Sequence, residues 1–158
     1  MNYRVATFLL LGLWIATIGL AANFFIRGQT IPTSDGRVAI LLPQEERQLV
    51  LGEMRNMLSS VRDIISALAE NDRKKVAIAA RASGMQAAVD INPTLMAKLP
   101  FEFKQLGMSM HGGFDDLASA AEKGANKDEL LLQLNNRLTG CVGCHAGYRI
   151  DPAEVQKD

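Results

Sequence analysis

Cys141-Val142-Gly143-Cys144-His145 is the stretch of this chain whose residue types and spacing can do chemistry. Two thiols about one helical turn apart can add to the two vinyl groups of one porphyrin. The adjacent imidazole then reaches the iron from the same side. Cys-x-x-Cys-His is the attachment pattern of a c-type haem. Two other chemistries use part of it. A Cys-x-x-Cys pair alone can be a redox dithiol or half of a zinc site. A closed zinc site needs two more ligands, and His111 is the one Cys or His outside the motif, so carboxylates would have to complete it. A thioredoxin-like dithiol belongs after a strand in a βαβ pattern, and no strand pattern is legible. One covalent haem c is the expected cofactor.

The elements that position this motif must come from a chain of 158 residues, room for one membrane segment and one small domain. From Val5 to Ile26 about 22 residues carry no charge, enough to cross a bilayer as a helix, which takes ~20. Arg4 and the amino terminus precede this run, which favours an N-in orientation. A signal-peptide core is usually 7–15 residues, and this run continues through Asn23-Phe24-Phe25-Ile26. Residues 1–27 are therefore expected to be an uncleaved anchor, and Trp14 with the phenylalanines a lipid-facing surface. The remainder is expected on the periplasmic side of the inner membrane, where c-type haem is attached. Arg4 and Arg27 are the only charges in residues 1–27; the rest holds 15 basic and 17 acidic residues, a net −2 without long charge runs. Nucleic acid is not an expected partner. With both cysteines in the motif, no disulfide framework remains.

Residues 28–42 hold Gly28, Pro32, Ser34 and Asp35-Gly36 and read as a linker. Residues 43–158 read as the haem domain, with four helices. The first spans about 43–70, with the seam Val50, Met54, Met57, Val61, Ile64, Leu68 at 4-3-4-3-4 spacing. The second spans about 72–90, with Ile78, Ala82, Met85, Val89, and Asn92-Pro93 breaks it. The third opens at Pro100, carries Phe103, Leu106, Met110, Phe114, Leu117, Ala121, and stops at Gly124. The fourth starts from Asn126 with Glu129 three residues on, a capping box. Its seam is Leu131, Leu134, Leu138, Cys141, His145, Tyr148. That register aims the imidazole inward. No segment alternates with period two, so the domain is expected to be all-α, an antiparallel four-helix bundle with the haem in its last helix.

A bundle with Cys-x-x-Cys-His in its last helix resembles the class II cytochromes c, the cytochrome c-prime type. The likeness spans about 43–150 and includes Arg137 four residues before Cys141 and Tyr148-Arg149 after the histidine. It implies thioethers at Cys141 and Cys144 and His145 as proximal iron ligand. In low-spin members a methionine early in the first helix closes the other side. That position falls near Val50 or Leu51, neither of which binds iron, so Met54, one turn on, is the candidate sixth ligand, ahead of Met57. Both methionines can equally be core filling. An open distal side is the alternative. Haem propionates call for cations, and Arg47 and Arg137 are the candidates, while Arg55 beside Met54 reads as a solvated side chain. His111 sits beside the Met110 seam and reads as a surface or hydrogen-bonded residue.

The resemblance implies a single-electron carrier between redox partners, free or as a subunit of a membrane oxidoreductase complex. It also implies that a homodimer is open to it. No nucleophile–base pair or Gly-rich phosphate loop suggests enzymatic turnover. The alternatives are a five-coordinate haem protein that binds NO or CO, and a membrane-tethered thiol oxidoreductase using Cys141 and Cys144.

Overall fold

The computed structural model describes residues 3–88 and 92–153. The uncharged N-terminal run forms one apolar helix, α1 (Tyr3–Arg27), with no buried residue. At 25 residues it measures roughly 37 Å, more than the ~30 Å hydrocarbon core of a bilayer. By length and composition it is a membrane anchor or a signal sequence.

The segment expected as a linker folds. β1 (Thr30–Pro32) and β2 (Val38–Leu42) form an antiparallel pair, and β3 (Tyr148–Pro152) adds to β2 in parallel, in the order β1-β2-β3. The turn is closed by Thr33 and Arg37, with Gly36 at φ 84°. The all-α expectation is thereby corrected. Val38-Ala39-Ile40-Leu41-Leu42 is a continuous apolar run, which periodicity cannot assign; here Ala39, Ile40 and Leu42 are completely buried. β3 is invisible locally because its partner lies at the other end of the domain, with Ile40 opposite Ile150.

The rest is mostly helical: α2 (Gln44–Ala69), α3 (Arg73–Arg81), a 3₁₀ turn (Met85–Ala88), α4 (Pro93–Lys98), α5 (Phe101–Glu122) and α6 (Lys127–Gly147). The sequence reading missed α4, which Asn92 caps through Thr94 N–H with Pro93 at its first position. One core draws Val61, Ile64 and Leu68 from α2, Val76 and Ala80 from α3, Phe114 and Leu117 from α5, and Leu130 and Leu134 from α6. A second joins Ile40 and Leu42 of β2 to Leu95, Leu99, Phe103 and Ile150.

The caps follow the sequence signals. Asp72 accepts from Lys75 N–H at 3.0 Å, and Asn126 and Glu129 form the reciprocal box at 2.9 and 3.0 Å. Asn126→Ala is expected to cost about 1 kcal/mol, read as a lower urea midpoint with an unchanged slope. Two seams differ from expectation. In α3 the inward stripe is Val76, Ala77 and Ala80, while Ile78 is 71% exposed and Ala82 and Met85 also face out; Val89 lies outside the described residues. The helix ends at Arg81, so the longer period assumed for it does not exist, and its small residues face both α2 and α5. In α6 the inward leucine is Leu130 rather than Leu131. Three consecutive leucines, Leu130 to Leu132, leave the register undetermined by pattern.

A buried polar cluster joins α2, the α3 exit and α5. Ser60 Oγ and Ser83 Oγ are 2.8 Å apart. His111 is 4% exposed, and its Nδ1–H donates to the Ser83 carbonyl at 2.9 Å, since a carbonyl can only accept. His111 is thus the hydrogen-bonded histidine of the two readings and not the surface one. Next to it Asp115 accepts from Met85 N–H at 2.8 Å and pairs with Arg81 at 2.8 Å. The Met85 amide, then Arg81, hold the Asp115 carboxyl below its ordinary range against some desolvation. A depressed carboxylate stabilises the fold above its unfolded value, and the benefit is lost as pH falls through its folded value. Asp115→Asn is therefore expected to cost on the order of 1–2 kcal/mol at neutral pH, with the gap to the parent closing below about pH 4 in denaturant titrations.

Candidate haem-binding site

α6 carries the motif in its last two turns and passes directly into β3, with Tyr148 N–H returning to the Cys144 carbonyl. Parallel pairing with β2 then fixes the chain from Tyr148 to Pro152. The histidine is thus held between a helix end and a strand, three residues from the first paired position.

A cleft of about 190 Å³ opens beside it. Cys144 and His145 of α6 line it, with Leu51 and Met54 of α2, Phe103 of α5, Tyr148 to Ile150 of β3, and Arg37 at the foot of β2. Of the haem-attachment and iron-ligand candidates, the structure gathers Cys144, His145 and Met54 here. Cys141 is half-buried, with its Sγ 3.9 Å from Met110 Sδ on α5. Gly140 makes that approach possible, because a Cβ there would stand 2.5 Å from Met110 Cε. His145 is exposed, and the inward aim expected from the seam is corrected. The buried residues of α6, Leu130 and Leu134, lie in its first half, and the imidazole follows in the last turns, at the mouth of the cleft.

No protein family, curated protein or solved structure matches this chain. The site therefore stands on its own geometry.

The other candidates lie around the cleft. Val50 packs against the second core with Leu51 and Met54, whereas Met57 packs against the first. Arg47 Nε donates to the Ile150 carbonyl at 3.0 Å, tying α2 to β3. Arg137 extends along α5 at Gly113, where a Cβ would overlap its side chain. Two cations that the sequence reading did not select do line the cleft. Arg37 pairs with Asp35 at 2.6 Å, and Arg149 pairs with Asp151 at 2.9 Å and reaches Asp35 at 3.4 Å. Arg149 stood four residues after His145, a usable signal. Arg37 had none, because only the β2–β3 pairing brings it near.

The electrostatics favour neutral sulfur. Burial pushes the Cys141 thiol up, and burial followed by proximity to Cys141 pushes Cys144 up. Tyr148 is raised by burial and by its hydrogen bond to Glu102, 3.1 Å away, and its ring meets Phe103 edge-on at 5.5 Å. Among the described residues no three His, Cys, Asp or Glu side chains cluster as a metal site.

The donor set fits a c-type haem: two thiols about one helical turn apart, of which Cys144 lines the cleft and Cys141 lies beside Met110, an imidazole at the cleft mouth, a thioether in the same cleft, apolar walls from Leu51, Phe103 and Ile150, and guanidinium groups at the rim. A bound haem would supply reversible one-electron iron chemistry, its potential set by axial ligand, burial and nearby charge.

Proposed function

We propose that this chain is a membrane-anchored, periplasmic, mono-haem c-type cytochrome of the class II kind, a four-helix bundle that carries single electrons between redox partners. The observation that carries the reading is one cleft lined by Cys144 and His145 from α6 and by Met54 from α2. Cys141 and Cys144 would hold the haem as thioethers, and His145 and Met54 would be its iron ligands. Arg37 and Arg149 offer guanidinium groups to the propionates; Arg47 secures the strand beneath them. The anchor would keep the haem beside a membrane oxidoreductase, as a partner or subunit.

Burial of both thiols counts against the thiol oxidoreductase reading, which needs a thiolate stabilised by a cation or a helix N-terminus. The gas-binding reading keeps one observation, that apolar Leu51 lines the cleft beside Met54. Optical spectra of the oxidised and reduced protein separate the two. Six-coordinate low-spin bands that resist CO are expected. A high-spin ferrous spectrum that shifts with CO would instead assign an open distal side.

A further inference from the structure

α1 does not hang from the domain on a free tether. Gly28, at φ 61°, packs so closely on the Lys98–Leu99–Pro100 backbone that a side chain there would overlap it. Gln29 N–H donates to the Lys98 carbonyl at 2.7 Å, and the Gln29 carbonyl accepts from Leu41 N–H at 2.8 Å. Lys104 of α5 is only 8% exposed; its ammonium donates to the Phe25 carbonyl at 3.2 Å and sits 3.6 Å over the Phe25 ring. A cation at the C-terminal carbonyls of a helix, stacked on an aromatic face, is favourable on both counts. The partly buried Lys98–Glu46 pair, 2.6 Å, then ties α4 to the start of α2.

This junction lies at the haem end of the domain. Lys104 directly follows Phe103, which lines the cleft. α5 runs from there to Glu122, roughly 33 Å away. Two apolar side chains flank the junction and are left in the open: Phe101, next to Pro100, is 42% exposed, and Ile31, two residues after Gln29, is 46% exposed. The helix that would enter the bilayer leaves from this same face.

We propose that this end of the domain is seated on the lipid surface in one fixed orientation, with Phe101 and Ile31 entering the headgroup layer and the haem cleft held at the membrane. The proposal rests on α1 being a retained anchor. It assigns the cleft to partners at or in the membrane and turns the far end, around Lys123, away from it.

The test uses the full haem-loaded chain in proteoliposomes, with single cysteines at Phe101→Cys, Ile31→Cys and Lys123→Cys and a water-soluble polyethylene glycol maleimide read as a gel shift. Phe101→Cys and Ile31→Cys should react about tenfold more slowly than Lys123→Cys, because the headgroup layer withdraws them from the reagent. A flexible Gly-Ser insertion between Arg27 and Gly28 should raise both rates to that of Lys123→Cys, with the haem spectrum unchanged. Rates at Phe101→Cys and Ile31→Cys that are already as fast as Lys123→Cys, or that ignore the insertion, would overturn the fixed seating. An intact mass lacking α1 would overturn the anchor reading itself.

Discussion

Met54→Leu is expected to change the visible spectrum of the haem-loaded protein from low-spin to high-spin and to open it to CO. Leucine nearly conserves volume, and such exchanges usually cost under ~1.5 kcal/mol, so the fold should persist. What disappears is the one thioether that, among the described residues, lines the cleft with His145. Methionine–histidine ligation raises the potential of haem iron. The midpoint should therefore fall by on the order of 0.1 V or more, against the ~0.8 V that axial ligands command overall. Met57→Leu is the matched control, because Met57 packs against the first core rather than the cleft, and it should leave both spectrum and potential in place. A low-spin spectrum surviving Met54→Leu would remove Met54 from the iron.

The largest effect on stability is expected at Phe114. It is 1% exposed and lies in the core that α2, α3, α5 and α6 share. Phe114→Ala removes most of an aromatic side chain, and the core it belongs to, which includes Ile64, Val76, Leu117, Leu130 and Leu134, can collapse only partly into the gap. A loss of about 3–5 kcal/mol follows, a large share of the ~5–15 kcal/mol that holds a typical domain. Denaturant unfolding of the haem-loaded protein measures it. A loss below ~1 kcal/mol would mean that this core does not hold the four helices together.

The parts of the fold that local chemistry dictates were legible. The Asn126–Glu129 capping box, the stop at Gly124, the opening of α5 after Pro100 and the long apolar α1 each follow from residues within one or two turns. What failed depended on distant partners or on degenerate patterns. β3 pairs with a strand at the far end of the domain, so nothing near Tyr148 announces it. α3 is short and packed through alanines, which carry too little hydrophobic contrast to mark a face, and Ile78 drew the seam to the wrong side. In α6 the Leu130-Leu131-Leu132 run fits more than one register, so pattern does not separate Leu130 from Leu131; His145 is exposed for a different reason, its place in the last turns of α6, beyond the buried Leu130 and Leu134. At the candidate site, Cys144 and His145 follow from motif spacing and Met54 from the resemblance to the class II cytochromes, and the three share a cleft. Arg37 was out of reach because its place depends on the unseen sheet.

The central claim is that Cys141, Cys144 and His145 hold a covalent haem, and haem staining of the chain on a denaturing gel tests it most directly. The protein should be made in a host that attaches c-type haem, beside a Cys141→Ser, Cys144→Ser double variant. Covalent haem survives denaturation, so the parent band should stain at the mass of the intact chain and the double variant should not. A parent band that is present but unstained, or a double variant that stains as strongly, would contradict the account.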